Sequence, residues 1–358
     1  MSFFLLAFIL IIMIGIRIEG PGEFNASYLD KDHTTAINGI FVILVVFSHF
    51  CQYADFGGAY DNAYLAVKSH LSQMIVASFL FYSGYGMMES LKRKGRSYIR
   101  GVPFKFLKLL FRFDCAVPLF ALMNKLLGIT YGKQQTLLAF TGWEAIGNSN
   151  WYIFDILILY ILVFIAFSIA GLLPEKAGHI AGAILLTFAT VGLIIAMRRA
   201  GKDAYWYNTL MLFPAGFLYS LARDRLERII MYSDLSYLAT MLAVLFAYLY
   251  GSSHRTGYGI QTYIGWSITF MLMLLLITMK VDICNGLLCF FGKHVFSIYV
   301  LQRIPMTILS ELGLINDHKY ICLVITILTT VVMALAFENL TDICISAAGG
   351  LFRHNKNE

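Results

Sequence analysis

Long apolar runs separated by short polar segments dominate the chain. No alternation recurs at the ten-residue spacing of a transmembrane β-barrel, so each run is interpreted as a helix. The predicted helices cover residues 2–18, 34–53, 70–90, 104–128, 149–171, 178–197, 206–222, 234–250, 260–279, 284–312 and 319–340. Most approach the roughly 20 residues that a bilayer crossing needs. The expected fold is an all-α polytopic membrane bundle of about 10–11 transmembrane helices.

The composition indicates that lipid is the solvent for most of the chain. Of the 358 residues, 59% are hydrophobic and 13% are charged, and the mean hydropathy is +0.72. A soluble domain of this length does not bury so much apolar surface, which excludes a soluble enzyme, a disordered chain and a secreted disulfide scaffold. The pattern shows no linker, so 1–358 is expected to form one domain. Within it we expect an extra helix and loop at 1–33, a core at 34–340 and a tail at 341–358.

Basic residues set the expected orientation. The net charge is +6, and the densest basic segment is LKRKGRSYIRGVPFKFLK at 91–108. The positive-inside rule makes this segment cytoplasmic. With eleven helices, the N-terminus is then external and the C-terminal tail cytoplasmic. We expect the basic residues to contact anionic lipid rather than nucleic acid.

Several predicted helices carry polar side chains, which are unfavourable in lipid and mark either buried structural pairs or function. His49 lies three helical turns after Asn38, and Tyr53 continues the same stripe. The other candidates are Ser83 in the 70–90 helix, Asn150, Trp151 and Asp155 in the 149–171 helix, and Tyr299, Gln302 and Arg303 in the 284–312 helix.

His49, Asp155 and Gln302 are expected to lie at a similar depth in the outer half of the bundle. One hypothesis is that they converge, with Asp155 orienting the His49 ring. The alternative is that each side chain pairs with a different neighbour and serves packing. Both interpretations stay open on the sequence alone.

The order of these segments resembles the acyltransferase type 3 family of integral membrane acyltransferases. The resemblance covers about 34–338 and rests on NGIFVILVVFSHF, FLFYSGYGMMES, YIRGVPFKFLKLLFRF, NSNWYIFDILILY and GKHVFSIYVLQR. It implies transfer of an acyl group, usually acetyl from cytoplasmic acetyl-CoA, to a hydroxyl of a surface polysaccharide or lipid-linked sugar. It also implies that His49 is the catalytic residue. A bacterial plasma (inner) membrane is the location that we expect for such an enzyme.

Two positions depart from the family pattern. The family usually has an arginine eleven residues before the catalytic histidine, where this chain has Asn38. Its late helix often ends in histidine, where this chain has Gln302. We therefore expect this chain to support the donor differently.

Acyl transfer from a thioester to a hydroxyl gives each candidate a role. We expect His49 to take the alcohol proton as general base, with Asp155 as its catalytic partner. Substrate or oxyanion support is expected from Asn38, Tyr53, Asn150, Trp151, Tyr299, Gln302 and Arg303. The expected acyl-CoA-binding residues are Ser83, Arg100, Lys105, Lys108 and Arg112, although these cations equally suit lipid headgroups. His49 is expected about 15–20 Å from the phosphates, so a channel for the pantetheine arm is predicted.

The expected partners are membrane lipid, acyl-CoA as the donor substrate, and a glycan or lipid-linked sugar. We expect no metal and no permanently bound cofactor, and the sequence leaves a homodimer open. The main alternative function is a polytopic transporter or flippase of a glycan or small polar solute. Transport would also explain polar residues in broken helices, but the sequence shows no inverted repeat.

Overall fold

The computed structural model describes residues 1–71, 73–254 and 259–354, with side chains described up to residue 347. The helices are α1 (Ser2–Met13), α2 (Lys31–Phe50), α3 (Asn62–Leu71), α4 (Met74–Lys94), α5 (Arg96–Arg100), α6 (Val102–Leu127), α7 (Lys133–Ala139), α8 (Trp151–Ala170), α9 (Glu175–Arg199), α10 (Leu212–Ile230), α11 (Asp234–His254), α12 (Ile260–Lys280), α13 (Gly286–Lys293), α14 (Val295–Leu301), α15 (Arg303–Glu311) and α16 (Leu314–His354). A small antiparallel sheet pairs β1 (Arg17–Ile18) with β2 (Val281–Asp282).

The predicted all-α polytopic bundle is confirmed. Among the described residues, six helices have both the length and the hydropathy of a membrane span, namely α2, α8, α9, α11, α12 and α16. The bent α13–α15 segment makes a seventh if it crosses as one span. Three further helices, α4, α6 and α10, have 21, 26 and 19 residues. They are long enough to cross a bilayer but carry more charge.

Basic residues end two of the long helices at one end of the bundle. Lys92 and Lys94 end α4, and Lys280 ends α12 beside the start of α2. We call this the basic end. The C-terminal turn of α2 lies at the opposite end, beside the starts of α4 and α8, because His49 and Trp151 line one cavity there. We call this the outer end.

The first predicted helix is shorter than the expected 2–18. α1 has 12 residues and is about 18 Å long, less than the hydrocarbon core of a bilayer. The N-terminal segment, residues 1–19, still reaches from one end of the bundle to the other. The Ser2 amide donates to the Tyr60 carbonyl at the outer end, and the Glu19 amide donates to the Lys280 carbonyl at the basic end.

The predicted 284–312 helix is broken. α13 and the α14–α15 segment meet at 62°, with His294 between them. His294 Nδ1 lies 2.6 Å from Glu338 Oε2 on α16, which ties the bend to the neighbouring helix. Pro305 does not cause the bend. It lies in the first turn of α15, where a missing amide hydrogen breaks no helical hydrogen bond.

The tail predicted at 341–358 is not a separate segment where it is described. α16 runs through to His354, with a kink at His318. Residues 355–358 lie outside the described residues. The core boundary expected at residue 340 therefore falls inside a helix.

Glycines allow α4 and α10 to approach backbone to backbone. A Cβ atom at Gly84 would lie 2.1 Å from the Phe213 carbonyl oxygen. A Cβ atom at Gly216 would lie 2.2 Å from the Phe81 carbonyl oxygen. No real side chain tolerates such distances, so this crossing requires glycine on both helices.

A second glycine contact fixes the position of α2. A Cβ atom at Gly39 would lie 2.0 Å from the Leu288 carbonyl oxygen of α13, and one at Gly292 would lie 1.8 Å from the Thr35 carbonyl oxygen. α2 is therefore held against α13 near the basic end. The number of helical turns between Gly39 and His49 therefore fixes how far His49 lies from that contact along α2.

Asp61 joins three segments at the outer end. Its carboxylate accepts hydrogen bonds from the Met1 ammonium at 2.6 Å, the Tyr320 hydroxyl at 3.0 Å and the Lys319 ammonium at 3.3 Å. Burial raises the pKa of Asp61, but these hydrogen bonds and one from the Gly57 amide outweigh it and lower the pKa to about 2. Asp61 is thus a charged group that is fully engaged within the fold.

Candidate active site

A cavity of about 860 Å³ lies at the outer end of the bundle and is called the outer cavity here. Its walls come from the end of α2, from α3, from the starts of α4, α8 and α15, and from the loop before α8. Four of the predicted site residues line it: His49, Asn150, Trp151 and Arg303. A concave site with several polar groups is the usual form of a ligand-binding pocket.

His49 lies in the last turn of α2, where it lines the outer cavity. Its ring centroid is 6.1 Å from that of Tyr299, and the Gln302 side chain adjoins it. This contact agrees with the similar depth predicted for His49 and Gln302. Within the described part of the chain, His49 Nδ1 has no hydrogen-bond partner. No described neighbour therefore uses the Nδ1 atom of the imidazole.

Asp155 does not orient His49 through a hydrogen bond, contrary to that hypothesis. Its side chain is fully buried, and both carboxylate oxygens have no hydrogen-bond partner among the described residues. Its nearest titratable neighbours include Tyr152 and Tyr299. Asp155 comes one turn after the start of α8 and does not line the outer cavity that contains His49.

Arg303 is held at the outer cavity by three neutral side chains. Its Nε donates to Ser149 Oγ at 2.9 Å, and its two terminal nitrogens donate to Tyr53 Oη at 3.3 Å and Gln52 Oε1 at 2.7 Å. Tyr53, a predicted support residue, thus acts on Arg303 and does not line the cavity itself. Arg303 lines the same cavity as His49.

Two of the predicted oxyanion donors are already engaged. Gln302 Nε2 donates to the Tyr299 carbonyl at 3.0 Å, and Asn150 Nδ2 donates to the Gly142 carbonyl at 2.8 Å. By contrast, the Tyr299 hydroxyl and the Asn148 amide nitrogen are buried without partners in the described structure. Tyr299 and Asn148 therefore have donors available, whereas Gln302 and Asn150 mainly hold the backbone.

A second cavity, of about 180 Å³, lies nearer the basic end and is called the inner cavity here. It contains the predicted residues Asn38 and Ser83, with Leu109 of α6 beside them. Asn38 Oδ1 is buried without a partner among the described side chains. Most of the remaining wall is apolar or aromatic, which suits an uncharged, extended ligand.

Tyr152 and Tyr299 separate the two cavities. Both line the inner cavity, and their rings pack edge to face with centroids 5.5 Å apart. Tyr299 contacts His49, which belongs to the outer cavity. The linings share no residue. The predicted channel is therefore interrupted at these two rings rather than continuous.

The four predicted phosphate-binding cations differ in their surroundings. Arg112 donates to Asp342 at 2.5 Å, and the Lys108 ammonium lies 3.6 Å from the same carboxylate. Lys108 and Arg112 thus join α6 to α16, and acyl-CoA binding by these two residues stays a prediction. The Lys105 ammonium lies 3.8 Å above the Tyr98 ring, and Arg100 is exposed at the end of α5. Arg100 and Lys105 remain open to an anion.

Sequence reasoning missed much of the outer cavity wall. The missed lining residues include Ser48, Lys68, Ser69, Gln73, Asn148, Ser149 and Tyr205. Lys68 and Ser69 belong to α3, which was not predicted because it has no apolar run of spanning length. The polar residues directly before Trp151 were the available signal, since three consecutive polar side chains precede an apolar helix there.

The fold and the site define an integral membrane protein in which His49 lines a polar outer cavity and lies beside Tyr299, which lines a mostly apolar inner cavity. Residues 35–338 match a family model described as an acyltransferase domain. The chain belongs to the acyltransferase 3 family and is a membrane acyltransferase. It matches no curated protein and no solved structure.

Proposed function

We propose that this membrane acyltransferase is an O-acetyltransferase, or transfers another short acyl group. The donor is acyl-CoA at the basic end, and the acceptor is a hydroxyl of a surface polysaccharide or lipid-linked sugar at the outer end. The observation that supports this most strongly is the place of His49. Its ring lines the outer cavity, and it touches the Tyr299 ring that closes the inner one.

In this proposal, the basic end faces the cytoplasm of a bacterial inner membrane, as the positive-inside rule favours. Arg100 and Lys105 hold the CoA phosphates at that face, and the pantetheine arm enters the inner cavity past Asn38 and Ser83. Asn38 precedes His49 by eleven residues of α2, about 16 Å at the rise of an α-helix. An extended pantetheine arm spans such a distance. Rotation of the Tyr299 ring then opens the passage between the two cavities, so that the thioester can reach the imidazole.

The neutral His49 imidazole acts as the general base. It takes the proton of the acceptor hydroxyl while that oxygen attacks the thioester carbonyl carbon. The tetrahedral intermediate collapses by breaking the carbon–sulfur bond. The imidazolium returns the proton to the leaving thiolate, so the products are an O-acyl ester and free CoA. No proton or electron is left over, and no metal is needed for the balance.

The oxyanion that forms on the carbonyl requires donors close to His49. The Tyr299 hydroxyl is a donor beside the ring, and the Arg303 guanidinium contributes positive charge from the outer side. Asp155 lies behind Tyr299 and acts in this proposal by positioning that residue. This assignment gives the buried, unpaired carboxylate a role without a direct bond to the base.

Filling the inner cavity is expected to weaken donor binding. In Ser83→Leu, the larger side chain occupies space that the pantetheine arm needs, so we expect the KM for acetyl-CoA to rise about tenfold or more. Ser83→Ala keeps the space open and is the matched control, with a KM within about threefold of the unchanged protein. The measurement is acetyl transfer by purified protein at varied acetyl-CoA concentration. Equal donor KM values for the two variants would contradict the proposed donor path.

A further inference from the structure

The outer cavity carries positive charge without a carboxylate in its wall. Lys68 and Arg303 both line it, and neither Asp nor Glu occurs among the described residues that do so. Both cations share this cavity with the His49 imidazole. A cleft with cations on low-dielectric walls concentrates anions, because field lines are focused into it.

Neither cation is neutralised by an acidic partner in the described part of the chain. Arg303 donates its hydrogen bonds to the neutral side chains of Ser149, Tyr53 and Gln52. Lys68 is half-buried in α3, between Val67 and Ser69, and forms no ion pair or hydrogen bond there. Placing a half-buried cation without a counter-ion is unfavourable unless a ligand supplies the charge.

Two acidic groups at this end of the bundle, Asp61 and Glu144, are engaged elsewhere. Asp61 is held by the Met1 ammonium and Lys319. Glu144 precedes the lining residue Ala145, but its carboxylate lies 3.8 Å from the Lys202 ammonium. Neither carboxylate is therefore in place to balance the cavity.

The remaining wall of the outer cavity suits a sugar. Trp151 and Tyr205 pack edge to face with ring centroids 5.9 Å apart, and both line the cavity. Aromatic rings with one polar edge offer a flat apolar surface for the C–H face of a pyranose. Amide groups of Gln73 and Asn148 line the same space and match sugar hydroxyls. Recognition of a ring and of an acid group thus come together in one cavity.

We infer that the acceptor is an anionic saccharide, whose carboxylate or phosphate is held by Lys68 within the field of Arg303 while its ring lies against Trp151 and Tyr205. This inference rests on the proposed function, because it names the acceptor class of the same site. Arg303 has a fixed position, whereas Lys68 is the cation free to contact the acid group directly. Its ammonium accommodates either acid group, since it acts as a compact point charge.

Equilibrium binding to the full-length protein in lipid nanodiscs tests the inference apart from catalysis. Three fluorescently labelled oligosaccharides of equal length serve as probes: one ending in glucuronic acid, one ending in glucose, and one ending in glucose phosphate. We expect at least one acidic probe to bind about tenfold more tightly than the glucose probe. Added salt is expected to reduce this difference in affinity. The better acidic probe identifies carboxylate or phosphate as the acid group.

Lys68→Gln is expected to remove about tenfold of the acidic probe's affinity and to leave the glucose probe unchanged. Arg199→Gln is the matched control, because it removes an exposed positive charge at the outer end of α9 that does not line the cavity. Equal binding of all three probes, or equal effects of both variants, would overturn the inference. Neither result affects the proposed acyl transfer, which fails separately if labelled acetyl-CoA is turned over without dependence on His49.

Discussion

Replacing His49 with alanine is expected to lower acyl transfer by a factor of about 10²–10⁴, the usual contribution of a general base. The imidazole is the group beside both cavities that can take an alcohol proton at neutral pH. The measurement is transfer of labelled acetyl from acetyl-CoA to a glycan by purified protein. Mass spectrometry of the surface glycans from cells that carry each variant provides the parallel test, as loss of the acetyl adduct.

Two further variants separate chemistry from packing at this position. His49→Gln keeps polarity and approximate size but is not a base, so we expect a loss close to that of His49→Ala. His70→Gln changes a histidine that is exposed on α3 and does not line the outer cavity. It should retain activity within about twofold. Wild-type turnover in His49→Gln would show that the imidazole is not the proton acceptor.

Gly84→Ala is expected to have the largest effect on stability. The new methyl group would lie 2.1 Å from the Phe213 carbonyl oxygen, and backbone on both sides leaves no flexible atom to move. Separating α4 from α10 to relieve this overlap should lower the free energy of unfolding by about 2 kcal/mol or more. Thermal unfolding of the purified protein in detergent, followed by tryptophan fluorescence, measures the change.

Gly86→Ala is the control on the same helix. A Cβ atom at Gly86 meets nothing within 4 Å, so the substitution adds helix propensity without overlap. We expect a neutral effect or a gain of up to about 1 kcal/mol. The two positions are two residues apart, so they face different sides of α4. If both variants unfolded at the same temperature, the close α4–α10 crossing would not exist.

The helices that cross the bundle were largely predictable, because lipid demands long apolar runs. The runs at 34–53, 149–171 and 260–279 correspond to α2, α8 and α12 within a few residues. The short helices were not predictable in the same way. α3 and α7 lie at the outer end, where water or neighbouring helices satisfy polar groups, so no apolar pattern marks them. The bend at His294 depends on a contact with Glu338, which is 44 residues away.

Residues of the candidate site were predictable where the spacing of polar residues along a single helix marked them. The spacing along α2 gave His49, and the polar residues of the α14–α15 segment gave Tyr299, Gln302 and Arg303. The pairing of side chains between helices was not predictable, because it depends on how the helices rotate against one another. Asp155 forms no hydrogen bond with His49 for this reason.

The positive charge of the outer cavity has the same origin. Lys68 reaches it from α3, a short helix that no apolar run of spanning length marks in the sequence. Local composition therefore predicts which polar residues and glycines stand out within apolar helices. The tertiary arrangement decides which of them meet.

Sided transfer across sealed proteoliposomes tests most directly whether the acyl group crosses the protein from one end to the other. Acetyl-CoA is enclosed in the lumen, and the oligosaccharide that the solubilised protein acetylates best is added outside. We predict that acetylated oligosaccharide forms in this arrangement. When donor and acceptor are both outside and the lumen is empty, we predict no product until detergent opens the vesicles. Equal transfer with both substrates on one side of intact vesicles would contradict a route past Tyr299 to His49.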